Sequence, residues 1–312
     1  MKYLVTGGAG FIGSSIAGEL VKLGQYVRIL DNFCTGKIEN MSPFINKIDL
    51  VRGDIRETKD LKKALKGIDF VLHQAALRSV PRSVEDPLST NDVNITGTLK
   101  LLMMARELKV KRVVYASSSS AYGDCKEFPQ KETFATNPIS PYAVAKLAAE
   151  HYCQVFAKTF GLETVSLRYF NVFGPRQDPN SKYSAVIPKF IFAAMKNATI
   201  EIHGDGRQSR DFSYIDNVVE ANIKAATVKG ISGNVFNIAC NESHSVMEIA
   251  RGIEQALGRK IKIVHTQKRA GDVKRTFADI SKAKKLMGYS PKVDFEEGLK
   301  RTFEWFAENG NE

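Results

Sequence analysis

The segment Tyr142-Ala143-Val144-Ala145-Lys146 sets a phenol and an ammonium four residues apart, about 20 positions after the hydroxyl run Ser117-Ser118-Ser119-Ser120. Residues at that spacing share one face of a helix. Ser140-Pro141 gives the helix its start, because proline fits a first turn where its missing N–H does no harm. A tyrosine is a useless base near neutral pH unless its phenolate is stabilised, and a neighbouring cation does that. One serine of the run would hydrogen-bond an alcohol while the phenolate takes its proton, which suits oxidation at an alcohol carbon if a hydride acceptor lies close. Gly7-Gly8-Ala9-Gly10-Phe11-Ile12-Gly13, behind the apolar run Tyr3-Leu4-Val5, supplies a place for one. At such a strand-to-helix turn one glycine permits the bend, another lets backbone N–H groups approach a dinucleotide pyrophosphate, and a third lets the helix pack on the strand. The helix N-terminus then faces the anion. Each pattern also has a plain structural account: a glycine-rich turn, serines solvating a strand end, a core tyrosine beside a lysine laid along its helix. Their occurrence in this order on one chain favours the chemical account.

Elements able to hold these groups follow from periodicity. Short apolar, often β-branched runs at 2–6, 26–30, 48–52, 69–73, 112–116 and 163–168 read as strands, and helical patterns lie near 11–23, 58–66, 92–109 and 141–160. Such alternation predicts an α/β fold, a Rossmann-type doubly wound parallel sheet whose ligands sit at the carboxyl ends of the strands. After Phe170 the rhythm breaks. Pro175, Pro179 and Pro188, with Gly174, Gly204 and Gly206, punctuate a stretch read as loop-rich; a helix over 216–229 and the strand Val235-Phe236-Asn237-Ile238 return to the sheet. The rest, with short helices and a strand near 261–265, reads as a smaller α/β substrate lid. The expected division is 1–170 with 216–240 for the dinucleotide and 171–215 with 241–312 for the substrate.

The second strand ends in Asp31, about 20 positions beyond the glycines, where a carboxylate accepts hydrogen bonds from an adenosine ribose and repels a 2′-phosphate, favouring NAD over NADP. A turn role ahead of Asn32 is the alternative.

At 312 residues the chain can bury a large core. No run approaches the roughly 18 apolar residues of a membrane span, and the N-terminus lacks a basic region with a small-residue cleavage site, so no membrane association and a cytoplasmic location are expected. Cys34, Cys125, Cys153 and Cys240 lie far apart with no CxxC pair, which argues against a metal site or a disulfide framework and for free buried thiols. The net charge of +11 raises nucleic acid as a partner, but the bases are interleaved with acids, as in Glu57-Thr58-Lys59-Asp60-Leu61-Lys62-Lys63, so a solvated surface and an anionic small substrate are expected and nucleic acid is not. Leu101 to Met104, with Tyr152, Val155 and Phe156, make two helices apolar on more than one face, which therefore need cover on both sides.

The stride Gly7, Gly10, Gly13 resembles the extended, sugar-modifying branch of the short-chain dehydrogenase/reductase superfamily. The segments Arg168-Tyr169-Phe170-Asn171-Val172-Phe173-Gly174, Ala185-Val186-Ile187-Pro188, Gly204 to Asp211 and Arg269-Ala270-Gly271-Asp272 extend the likeness over essentially the whole chain, to the nucleotide-sugar 4-epimerase family. With Leu77 to Ser83, Asn171 and Thr276, the sequence is most similar to its members acting on UDP-N-acetylglucosamine and UDP-glucose. The resemblance implies Ser118, Tyr142 and Lys146 as catalytic residues, with Ser119 and Ser120 able to assist. It assigns NAD to Gly7, Gly10, Phe11, Ile12, Gly13, Asp31, Asn32, Asp54, Ile55, Gln74, Ala75, Ala76, Tyr142 and Lys146. For the UDP-sugar it implies Ser79 and Ser118, Asn171 on the diphosphate, Val186 at the uracil, Arg210 and Arg269 as phosphate clamps, Asp272 on the ribose and Thr276 at the sugar, where a small side chain leaves room for an N-acetyl group. Arg78 departs from the small residue sometimes found at its position. Related dehydratases and decarboxylases carry acids just after the catalytic Ser/Thr. Ser119 and Ser120 stand there instead, so the chemistry implied is reversible oxidation at C4 with inversion. A UDP-glucuronate 4-epimerase, a net-redox sugar reductase and a non-catalytic NAD-binding scaffold are the alternatives. Members of the family pair the helices near 92–109 and 142–160 across a dimer axis, which implies a homodimer.

Overall fold

The alternating runs become parallel strands in the computed structural model, which describes residues 1–179, 185–267 and 275–309. The first six strands are β1 (Lys2–Thr6), β2 (Tyr26–Asp31), β3 (Asp49–Arg52), β4 (Phe70–His73), β5 (Arg112–Ser118) and β6 (Glu163–Tyr169). Helices α1 (Phe11–Lys22), α2 (Thr58–Leu65), α3 (Val80–Glu85), α4 (Pro87–Asn91), α5 (Thr98–Glu107) and α6 (Pro141–Thr159) connect them. Beyond β6 come β7 (Val172–Phe173), α7 (Val186–Met195), β8 (Ile200–His203), β9 (Ser209–Arg210), β10 (Ser213–Tyr214), α8 (Ile215–Thr227), β11 (Asn234–Ile238) and β12 (His244–Ser245). The chain continues through α9 (Val246–Leu257), β13 (Ile263–Thr266), α10 (Ser281–Met287) and α11 (Phe295–Asn309).

Seven strands join in the order β11-β6-β5-β4-β1-β2-β3, every pair parallel. The order reverses at β1, which has β2 on one side and β4 on the other, so a crevice opens at the carboxyl ends of β1 and β4. Successive strand residues point to opposite faces. Val5 and Ile29 accordingly join Ile16 and Phe236 in one buried layer, whereas Leu4 and Leu30 join Leu101, Leu102 and Phe156 in the other.

Three expectations are corrected. The stretch after Phe170 is not mostly loop: it holds α7 and β8, and Pro188 lies in the first turn of α7, where a missing N–H breaks no helical bond. The helix expected over 92–109 is α5 preceded by a π-helical turn, Asp92–Gly97, in which a Cβ on Gly97 would press into Ile55. The thiols are not all buried, since Cys34 is exposed and Cys125 half-buried. The late strand lies at Ile263–Thr266 and pairs in parallel with β8.

Leu101, Leu102, Met104 and Phe156 are core residues, but Met103 on α5 is 59% exposed, and Tyr152 and Val155 on α6 are 37% and 45% exposed. Among the described residues no helix is long and apolar enough to cross a membrane, and no group of three or more His, Cys, Asp or Glu could hold a metal.

Candidate active site

One cleft of about 1950 Å³ runs along the carboxyl edge of the sheet. At its floor the turn from β1 into α1 brings backbone against backbone. Gly7 has φ +67°, where a side chain is strained, and a Cβ on Gly13 would overlap the Gly7 carbonyl oxygen. No side chain caps α1, so its first N–H groups have no capping partner and point, with the positive end of the helix dipole, toward the loop. These features fit a dinucleotide pyrophosphate. Gly10, Phe11 and Ile12 line the same wall.

Asp31 closes β2, its oxygens accepting from the N–H of Ala9 at 2.9 Å and of Phe33 at 2.8 Å. The turn role and the cleft position are therefore both real. Burial pushes its carboxyl upward against the pull of those two N–H groups. Asn32 donates to Asp54 at 2.8 Å, and Arg56, hydrogen-bonded to the same carboxylate, holds Asp54 down at about 2. Ile55, Gln74, Ala75 and Ala76 line the same cleft as Ser118, Tyr142 and Lys146. Gln74 Nε2 bonds Asn222 at 3.1 Å, and Tyr169 donates to Gln74 Oε1 at 3.2 Å.

Ser118, Tyr142 and Lys146 meet in the middle of the cleft. Ser118 ends β5 and accepts from the Ser120 hydroxyl at 2.9 Å and the Ser120 N–H at 3.2 Å. Ser140 caps α6, its oxygen accepting from Ala143 N–H at 3.2 Å, with Pro141 in the first turn as expected. Burial raises the Tyr142 phenol, while the Ser118 side chain and the Arg78 charge draw it down. Lys146 donates to the Ala116 carbonyl at 2.8 Å and lies 5.9 Å from the Tyr142 ring centre. Burial lowers its ammonium to about 8, so it is charged at neutral pH yet easily discharged. Behind it His73 is wedged between Thr6 and Thr98 and held neutral, burial taking its pKa to about 3.

The far end is built by the C-terminal elements. Asn171, at φ +32°, donates to the Asp211 carbonyl at 2.8 Å and to Thr276 at 3.3 Å, so two of the expected sugar-nucleotide residues touch. Val186 opens α7 on the cleft wall, and Arg210, in β9, donates to the Ser209 carbonyl at 2.9 Å. Ser79, with the rare φ +119°, caps α3 by accepting from Arg82 N–H at 3.2 Å. Arg269 and Asp272 lie outside the described residues. Every other residue expected at the site lines this one cleft.

The sequence reading did not single out Gly36, Lys37 and Asn40 near the Asp31 wall, nor Arg176 and Gln208, all of which line the cleft. Gly36, Arg176 and Gln208 sit in irregular segments, and Lys37 and Asn40 at the start of a 3₁₀ helix over Ile38–Lys47, where no apolar period marks a face. Three of them are tied into the fold: the Asn40 amide bonds the Ala9 carbonyl at 2.8 Å, Arg176 donates to the Ser15 hydroxyl at 3.0 Å, and Gln208 donates to the His203 carbonyl at 2.9 Å.

The NAD dependent epimerase/dehydratase family model matches residues 3–239. A putative UDP-glucose 4-epimerase of Methanocaldococcus jannaschii is 40% identical over 309 residues, covering 98% of each chain. The UDP-N-acetylglucosamine 4-epimerase of Methanobrevibacter ruminantium, solved with UDP-N-acetylmuramic acid, superposes with a TM-score of 0.94 at 41% identity, over 99% of this chain and 98% of that one. The UDP-glucose 4-epimerase of Thermus thermophilus, solved with NAD, gives 0.90 at 36% identity, over 98% of this chain and 99% of that one. Glycine turn, hydroxyl-bearing strand end and Tyr-Lys helix thus occur together in a chain that belongs to the NAD-dependent epimerase/dehydratase family.

Proposed function

We propose that this enzyme is a cytoplasmic UDP-hexose 4-epimerase that interconverts UDP-N-acetylglucosamine with UDP-N-acetylgalactosamine, and also UDP-glucose with UDP-galactose. The observation that carries the reading is the hydroxyl pair Ser119 and Ser120, lining the cleft beside Ser118 where eliminating or decarboxylating relatives place an acid. NAD, when bound, would supply a reversible hydride acceptor. Tyr142 takes the proton of the C4 hydroxyl, and Ser118 hydrogen-bonds the same oxygen. Lys146 would stabilise the phenolate and hold the ribose hydroxyls of the cofactor. No acid follows Ser118 to drive elimination or decarboxylation, so the 4-keto sugar would turn about its pyrophosphate tether, and Tyr142 would return the proton as C4 is reduced on its other face. Residues 1–170 and 216–240 would hold the dinucleotide, and 171–215 with 241–312 the sugar nucleotide. Asn171, Arg210 and Arg269 would serve the diphosphate, guanidinium forks being suited to phosphate oxygens. Val186 would face the uracil and Asp272 the ribose, with Ser79 and Thr276 beside the sugar. The exposed apolar positions of α5 and α6 support a homodimer.

Incubation of the pure protein with each UDP-sugar, followed by chromatographic separation of the C4 epimers, tests the reading; conversion of neither pair refutes it. Tyr142→Phe should lower turnover by at least 10²-fold and leave the cofactor bound, and a fully active variant would remove the assigned base.

One observation favours a second substrate. Arg78 lines the cleft and makes no hydrogen bond or ion pair with any described residue, yet its charge reaches Tyr142. An unpaired guanidinium near the reacting carbon suits a sugar bearing a carboxylate, such as UDP-glucuronate. Arg78→Ala should depress epimerisation of UDP-glucuronate more than that of UDP-glucose.

A further inference from the structure

Behind the catalytic residues lies a buried ion pair that the chemistry above leaves unused. Glu150 and Arg168 are 1% and 4% exposed. The carboxylate accepts from Arg168 Nη2 at 2.6 Å and from Nε at 3.0 Å, a two-point fork. Its Oε2 also accepts from the Ser117 hydroxyl at 2.6 Å. Three elements meet in this one carboxylate: Glu150 is on α6, Ser117 on β5 and Arg168 on β6. In the β5–β6 ladder Ser117 stands opposite Arg168, and the next rung is Ser118 opposite Tyr169. On α6, Tyr142, Lys146 and Glu150 follow at intervals of four and so share a face. The guanidinium centre also lies 4.6 Å from the Tyr122 ring, whose hydroxyl donates to Asn237 of β11 at 2.7 Å, while the buried Nη1 has no hydrogen-bond partner among the described residues.

A buried ion pair adds little net stability over an apolar filling of the same volume. What a forked pair adds is direction: two parallel bonds fix a helix in rotation as well as in distance. We propose that Glu150, Arg168 and Ser117 are positioning residues, a clamp that sets the Ser118 hydroxyl on β5 at its working distance from Tyr142 and Lys146 on α6. The proposal rests on the assignment of Ser118, Tyr142 and Lys146 made above. An ångström of misplacement between such groups costs about 10²-fold in rate, so the clamp acts on turnover and not on ligand affinity.

The test uses the full-length protein with NAD and UDP-glucose or UDP-N-acetylglucosamine, and three variants. Ser117→Ala removes one hydroxyl and leaves the pair; Arg168→Lys keeps the charge but loses the fork; the double variant Glu150→Gln/Arg168→Gln removes both charges at the cost of a smaller side chain at 168. Each folded variant is expected to lose roughly 10-fold to 100-fold in kcat, with KM changed less than about threefold. The deuterium isotope effect with 4-deuterated substrate should rise as the chemical step becomes limiting, and the acid limb of the kcat profile should move to higher pH as Ser118 loses its hold on the phenol. Ser117→Ala, the mildest change, guards against simple failure to fold. The proposal is overturned if Ser117→Ala keeps the parent kcat, isotope effect and pH profile, or if the losses vanish when each variant is assayed well below its own melting temperature. Tyr142→Phe is run alongside: if it is inactive while the clamp variants are normal, only the clamp falls, whereas an active Tyr142→Phe removes both readings.

Discussion

Lys146 carries the sharpest electrostatic consequence. Its ammonium titrates at 10.5 when unperturbed and at about 8 in the fold, with burial as the first cause. Between those values the unfolded chain binds a proton that the folded one lacks, so stability rises with pH from about 8 to about 10.5. Below pH 8 the buried charge is a standing cost. Urea unfolding of the cofactor-free protein at pH 8 and pH 10 should show a gain that Lys146→Met abolishes, and equal pH dependence of the two proteins would contradict the shift. Tyr142, Lys146 and Ser118 were legible in the sequence because a four-residue interval on a helix and a hydroxyl run at a strand end are local patterns. Arg78 was legible only as a departure from a family position, and its lack of a partner needed the fold. Glu150 and Arg168 were not legible as a pair, since 18 positions separate them and a lone acid on a helix ordinarily faces water.

The turn from β1 into α1 and the start of α9 show how local chemistry fixes elements. A Cβ on Gly13 has no room against the Gly7 carbonyl, so Gly13→Ala should force the turn apart and weaken NAD binding by more than 10-fold in a calorimetric titration; unchanged affinity would mean that the loop adapts. Ser245 caps α9 in a reciprocal box, accepting from Glu248 N–H at 3.1 Å while its own N–H donates to the Glu248 carboxylate at 2.6 Å. Ser245→Ala should cost about 1 kcal/mol in denaturant unfolding, with turnover retained. The main-sheet strands were readable almost residue for residue because each is a short apolar run. Helix α7 was hidden because Pro188 reads as a breaker, and only the position of Ala185 as N-cap makes it a first-turn proline. The π-helical turn before α5 left no sequence signal; that Gly97 at its end packs against Ile55 is a contact between residues 42 positions apart, visible only in the fold.

The exposed apolar positions Met103, Tyr152 and Val155 lie on neighbouring helices, α5 and α6, the second of which carries Tyr142 and Lys146. Joining two copies there would bury those side chains and brace the helix that holds Tyr142. Light scattering should find a dimer in the parent protein and a monomer in Met103→Arg/Val155→Arg; a monomeric parent removes the proposal. The strand order bears on how the protein is made. With β1 laid first, β2 and β3 extend one margin in turn, and β4, β5, β6 and β11 then extend the other in the order in which they are synthesised. Each later strand of this sheet leaving the ribosome finds the margin it needs already in place, so the main sheet can grow with translation, whereas β8 and β9 wait for β13 and β12.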